Sequence, residues 1–285
     1  MQVSRFSAFG RDGWRKPAAL LALLGALGMM PGAAWAQQPD LDQTFLNAPN
    51  VLDGNLIRFC VYPESAIGHL EEELAHVLGA ALLLEVEVVT VEPPIAIPGL
   101  DTIPISIEDL FLLLSNECDG FMGLELAPEA YPTWLTFTRP YFEAPYVAVA
   151  RPGTFDSLEA LTPDDRVATQ SLTTGDIQFS AYNNALSEGQ RVRRVPYPHT
   201  DLQFERLLDG SVDAAIVWEP WLRHPDIGVD GVEVIANGAI PLGTRSIGMG
   251  LRSRDTFLRT ALDDAIALLE QDGTLAEVFS AAGLN

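Results

Sequence analysis

The strongest constraint on the fold is an alternation of strand-like and helix-like segments that starts twice. Leu56 to Tyr62 is a short run with strand character that ends at Pro63. Gly68 opens a helix whose apolar positions Leu70, Leu74, Val77 and Leu78 keep a helical period, and Gly79 marks its expected end. Leu82 to Val91 reads as a second strand, with Glu85 and Glu87 alternating along it. A β-α-β unit of this kind builds parallel sheet with a right-handed crossover. Beyond a proline-rich loop from Pro93 to Pro104, the pattern predicts a helix over 107–116 and strands over 118–124, 134–137 and 145–150.

After Arg151-Pro-Gly the alternation begins again. Short helix 157–161 precedes strand 166–169, helix 175–186, strand 192–197, helix 201–208 and the buried-type strand 212–218. A strand over 246–252 follows. A helix over 256–271 then carries Phe257, Leu258, Ala261, Leu262, Ala265, Leu268 and Leu269 on one side, and a short last helix follows Gly273. Two sets of such units predict an α/β protein with two lobes. Ligands of open α/β sheets sit beyond the carboxyl ends of the strands. That rule selects Tyr62 to Ser65, Gly123 to Glu125, Gln170 to Asp176 and Trp218 to Pro220.

The first 36 residues read as a cleavable export signal. Arg11, Arg15 and Lys16 precede an apolar run from Ala18 to Met30, and Ala34-Trp-Ala36 gives a small-x-small cleavage pattern. The run falls short of the roughly 20 residues that span a bilayer. Cleavage leaves 249 of the 285 residues, and residues 37–54 read as a polar N-terminal arm. The signal removes a net charge of +3 from −22, leaving −25 and no lysine. Nucleic acid is therefore not expected as a partner, because its binding rests on basic side chains meeting phosphates. The expected location is the periplasm, an oxidising compartment, where Cys60 and Cys118 are expected to pair as a disulfide.

Several stretches are similar, in order and spacing, to the type II periplasmic solute-binding proteins of family 3, the group of amino-acid uptake. They are Gly68-His-Leu-Glu-Glu-Glu-Leu-Ala, Cys118-Asp-Gly-Phe-Met-Gly, Ala127-Pro-Glu, Phe137-Thr-Arg-Pro-Tyr-Phe, Leu208-Asp-Gly-Ser-Val-Asp-Ala-Ala-Ile-Val and Asp272-Gly-Thr-Leu-Ala. The resemblance implies two lobes, each a mostly parallel sheet flanked by helices, joined by a two-strand hinge and closing on a ligand. Lobe 1 would comprise 55–149 plus 245–285, and lobe 2 would comprise 150–244. It also implies an ABC permease as partner.

The departures from that family bear on the ligand. Its G-x-T-x-T-x-x-R pattern clamps the ligand carboxylate with arginine. Here Gly123 keeps the glycine, Glu125 and Ala127 take the threonine positions, and Ala130 takes the arginine position. The aspartate that meets the ligand's amino group is replaced by Trp218, followed by Glu219. An ordinary α-amino acid is therefore not the expected ligand. Asp213-Ala-Ala-Ile-Val-Trp-Glu-Pro, Phe59-Cys60 and Glu117-Cys118-Asp119 also resemble a subgroup associated with quinoprotein (PQQ) alcohol dehydrogenases. That likeness implies an alternative role as accessory partner of such a dehydrogenase or its cytochrome.

The expected ligand-binding residues are Tyr62, Glu64, Glu125, Arg139, Thr173, Thr174, Trp218 and Glu219. Tyr62 and Trp218 would supply aromatic walls. Glu125 would meet a cation or an amine, and Glu219 a cation. Thr173 and Thr174 open a helix whose free N–H groups suit an anion, or else simply cap it. Arg139 stands either as a replacement for the missing clamp or in a structural ion pair at the lobe neck. The four histidines form no triad spacing and Ser65 lacks a G-x-S-x-G elbow, so no enzyme, cofactor or metal is expected.

Overall fold

The computed structural model describes residues 52, 54–92, 106–126, 131–225 and 227–284. The expected export signal, most of the expected arm at 37–54, the loop Pro93 to Pro104 and the expected clamp positions Ala127 and Ala130 lie outside the described residues.

The chain runs β1 (Leu56–Val61), α1 (Gly68–Leu82), β2 (Glu85–Thr90), α2 (Ile107–Asn116), β3 (Gly120–Glu125), β4 (Leu135–Phe137) and β5 (Phe142–Ala150). It continues through β6 (Arg166–Gln170), α3 (Thr174–Ala185), β7 (Arg193–Tyr197), α4 (Thr200–Leu208), β8 (Ala214–Trp218) and β9 (Glu233–Ile235). The last elements are β10 (Thr244–Arg252), α5 (Thr256–Asp272) and α6 (Thr274–Ser280). None of the described helices is long and apolar enough to cross a membrane.

The expected α/β fold is present as two parallel half-sheets joined by antiparallel strands. β1 pairs in parallel with β2 and β3, and β10 runs antiparallel to β3 and β4. β6 pairs in parallel with β7 and β8, while β5 runs antiparallel to β8 and β9. β5 connects the halves. Its first residues, Phe142 to Pro145, pair with β10, and from Tyr146 onward it pairs with β8. The prolines of β5 and β7 are tolerated for different reasons: Pro145 falls at this change of partner, and Pro196 lies on the outermost strand β7.

The Cys60–Cys118 bridge closes as expected, with its Cα atoms 5.6 Å apart. It ties β1 to the residues just before β3, and both sulfurs are buried with Leu110, Leu114 and Phe121. Beside it the Asp119 carboxylate accepts from the Arg58 N–H at 2.9 Å.

Strand ends shift by a few residues from the sequence expectation, and one helix end and one helix face differ more. α1 does not end at Gly79 but runs to Leu82 and is capped by Leu83 in the left-handed conformation, with φ 59° and 84% exposure. Gly79 is small because β2 packs on it: an added Cβ would lie 1.9 Å from Val86 Cγ2. In α5 the buried face is Leu262, Ala265, Ile266 and Leu269, whereas Phe257 is 86% exposed and Leu268 also faces solvent. The buried positions follow an i, i+3, i+4, i+7 stripe, which Phe257 and Leu268 miss. The three-residue strand β9 has no counterpart in the sequence reading.

Candidate functional site

The carboxyl ends of β1, β3, β6 and β8 carry the selected residues, and three of these come together around one cation. Glu125 ends β3, Thr174 opens α3, and Trp218 ends β8. Thr174 Oγ1 donates to Glu125 Oε1 at 2.9 Å, a bond from the start of α3 to the end of β3. The other carboxylate oxygen lies 3.3 Å from Arg245 Nε. The Arg245 guanidinium stands 4.8 Å from the centre of the Trp218 ring, within cation–π range.

Trp218 is fixed from behind. Its indole N–H donates to the Ala144 carbonyl at 3.0 Å, and its ring meets Phe142 edge-on at 5.9 Å. It is 4% exposed, so it belongs to the core and presents one face to Arg245. Tyr146 is buried nearby. Burial pushes the Tyr146 phenol up, with the Arg245 charge opposing it.

A second polar group lies beneath β3. Glu71, on α1, is fully buried. Its Oε1 accepts from the Tyr141 hydroxyl, which in turn accepts from the Gly123 N–H at 2.7 Å. Gly123 adopts φ 85° and an added Cβ would lie 2.9 Å from Glu71 Oε2, so a side chain there would be strained. That Oε2 has no hydrogen-bond partner among the described residues. Burial raises the Glu71 carboxyl to about 7, although the Tyr141 bond and the Arg245 charge pull it down. Tyr141 is pushed well above its ordinary value by burial and by Glu71.

The other expected residues stand elsewhere or are otherwise engaged. Thr173 is the N-cap of α3, accepting from the Asp176 N–H at 3.3 Å and donating to the Gln170 carbonyl at 2.9 Å. This is the capping role left open by the sequence. The turn before it places Leu172 at φ 66°, and the Leu172 N–H donates to Asp176 at 3.1 Å. Asp176 also takes two bonds from Arg194, which fixes the start of α3. Thr173→Ala is expected to cost about 1 kcal/mol. Urea denaturation would check it, and an unchanged midpoint would show that the hydroxyl is not a working cap.

Arg139 occupies the structural alternative: Nη2 meets Glu270 of α5 at 2.7 Å, and its backbone N–H meets Asp263 at 2.6 Å. Tyr62 donates to Glu64 at 3.1 Å and packs with the cluster around the disulfide. Glu219 begins a short 3-10 turn after β8 and is half exposed. A cavity of 540 Å³ on α1, lined by His69, Glu72, Glu73, His76, Val77 and Ala80, shares no residue with the Arg245 cluster. Among the described residues, no three His, Cys, Asp or Glu side chains converge as metal ligands.

Arg245, Tyr146 and the Glu71–Tyr141 pair were not singled out from the sequence. Arg245 had one signal, since it is a cation in an acidic chain and directly precedes the strand read from Ser246.

No protein-family model matches the sequence, and neither does any curated protein sequence. Solved structures do match. The ancestral amino-acid-binding protein AncCDT-1, described as a precursor of cyclohexadienyl dehydratase, aligns with TM-score 0.56 and 18% identity, covering 80% of this chain and 94% of that one. A mutant of the protein ArgBP from T. maritima aligns with TM-score 0.53 and 21% identity, covering 80% and 94%. An amino-acid ABC transporter substrate-binding protein from Streptococcus pneumoniae, bound to L-arginine, aligns with TM-score 0.57 and 16% identity, covering 81% and 95%. At these identities the likeness shows the fold alone, an α/β architecture that this chain shares with these structures.

Proposed function

We propose that the protein is an exported, periplasmic solute-binding protein that captures a small organic ligand between two lobes for an ABC importer. The lobes are 55–149 with 245–285, and 150–244. The observation that carries this reading is the meeting of Glu125, Thr174 and Trp218, from three elements, at the carboxyl ends of the strands. An ordinary α-amino acid is not the ligand, because the position of the carboxylate clamp holds Ala130 and that of the amine acceptor holds Trp218. The reading is a binder rather than an enzyme. The buried carboxyl of Glu71 is strongly perturbed, and among the described residues it is bonded to a tyrosine held to the backbone.

The test is a thermal-shift screen of the chain from Gln37 against carboxylates, amines, alcohols and polyols. A ligand at a hundred times its Kd is expected to raise the midpoint by about 5–10 °C. The second reading, an accessory partner of a quinoprotein dehydrogenase or its cytochrome, is supported by the Val217-Trp-Glu-Pro segment and the net charge of −25 after signal removal. If no compound shifts the midpoint, and the chain binds such a dehydrogenase or a cationic cytochrome in a salt-sensitive way, the importer reading is replaced by this one.

A further inference from the structure

The residues that converge at the strand ends form a complete cation site, and its occupant belongs to the chain itself. Trp218 offers an aromatic face, Glu125 offers a carboxylate oxygen, and Thr174 holds the opposite oxygen of that carboxylate. A planar guanidinium suits such a site because it stacks and pairs at once. Register fixes the occupant. Arg245 lies opposite Ala144 in the β10–β5 pairing, and the Ala144 carbonyl is the group that holds the Trp218 indole. The strand that carries the guanidinium is therefore bonded to the residue that orients the ring.

We propose that Arg245 is a built-in occupant of the cleft, filling a guanidinium site that accepts a free alkylguanidinium once the side chain is removed. The proposal rests on the reading of these strand ends as the ligand cleft, and it assigns Arg245 the role of excluding cationic solutes. A group on the same chain competes at an effective concentration of roughly millimolar or above, so a free cation at micromolar levels does not displace it. The fit of Arg245 leaves room for a free guanidinium to do better. Its Nε is buried, and the 3.3 Å approach to Glu125 lacks the alignment of a hydrogen bond. An untethered guanidinium is free to align.

The experiment compares wild type with Arg245→Ala, using methylguanidine as the probe and methylammonium at equal ionic strength as the control. Arg245→Ala is expected to melt at a lower temperature than wild type. Methylguanidine is expected to restore the midpoint and to bind the variant at least about tenfold more tightly than wild type. Methylammonium, which is not planar, is expected to restore less. Adding Glu125→Gln to the variant is expected to abolish the rescue. Should Arg245→Ala not fold alone, refolding yield with and without methylguanidine becomes the readout: a restored yield supports the site, and an unchanged one overturns it.

Equal binding of methylguanidine to wild type and variant also overturns the proposal. So does a carboxylate from the ligand screen that stabilises wild type and loses its effect in Arg245→Ala, because Arg245 would then be a ligand clamp. That last result leaves the solute-binding reading intact. Conversely, guanidine rescue with an empty ligand screen leaves this inference standing while the importer reading fails.

Discussion

Replacing both Cys60 and Cys118 with alanine is expected to lower the stability of the chain by about 4 kcal/mol in urea denaturation. The bridge spans 58 residues of sequence, and closing a loop of that length removes much of the freedom of the unfolded chain. The native state loses contacts as well, because both sulfurs are packed among Leu110, Leu114 and Phe121 beside the parallel pairing of β1 with β3. A domain is typically stable by about 5–15 kcal/mol, so this loss is a large share of the total. An unchanged urea midpoint would mean that the bridge constrains nothing that the sheet does not already hold.

Glu71→Gln is expected to stabilise the protein by about 3 kcal/mol at pH 8, with the gain disappearing toward pH 4.5. Glu71 is an acid whose folded value is raised, from 4.5 to about 7. Between those values the native state holds a proton that the unfolded state has released, so stability falls as pH rises through this window and levels off above it. Glutamine copies the protonated form: its carbonyl still accepts from Tyr141, and it brings no buried charge at pH 8. Asp176, whose folded value is lowered, contributes in the opposite sense at more acidic pH, and the wild-type-minus-variant difference cancels it. Parallel pH–stability curves for the two proteins from pH 5 to 8 would refute the assignment.

The sheet was legible because its strands are short, β-branched and punctuated by turns, and because β-α-β order leaves few topologies open. The expected export signal and part of the family likeness rest on residues outside the described ones. Errors fell where packing overrides local pattern. Gly79 looks like a helix stop but is a contact with Val86, and Phe257 looks like core but sits at the exposed start of α5. β9 has three residues and exists only because β5 offers it an edge, which no local pattern encodes.

The site was legible to the extent that strand ends are. Glu125, Thr174 and Trp218 were selected by the rule for open α/β sheets, and they meet. The sequence did not reveal what they meet around. Arg245 lies on β10, 27 residues beyond Trp218, and reaches the ring only through the register of β10 with β5. Arg139 looked equally suitable as a cation, but it sits where α5 presents Asp263 and Glu270. Glu71 was hidden for another reason: it stands among three consecutive glutamates on a helix, and only the fold separates the buried one from Glu72 and Glu73.

On the proposed function, a fold shared with amino-acid-binding proteins keeps its cleft while the residues that grip an amino acid are replaced. Calorimetric titration of L-arginine into the wild-type chain tests it most directly. No binding heat is expected at micromolar concentrations, because Arg245 already covers Trp218 and pairs with Glu125. A one-to-one titration with a micromolar or tighter Kd would contradict it.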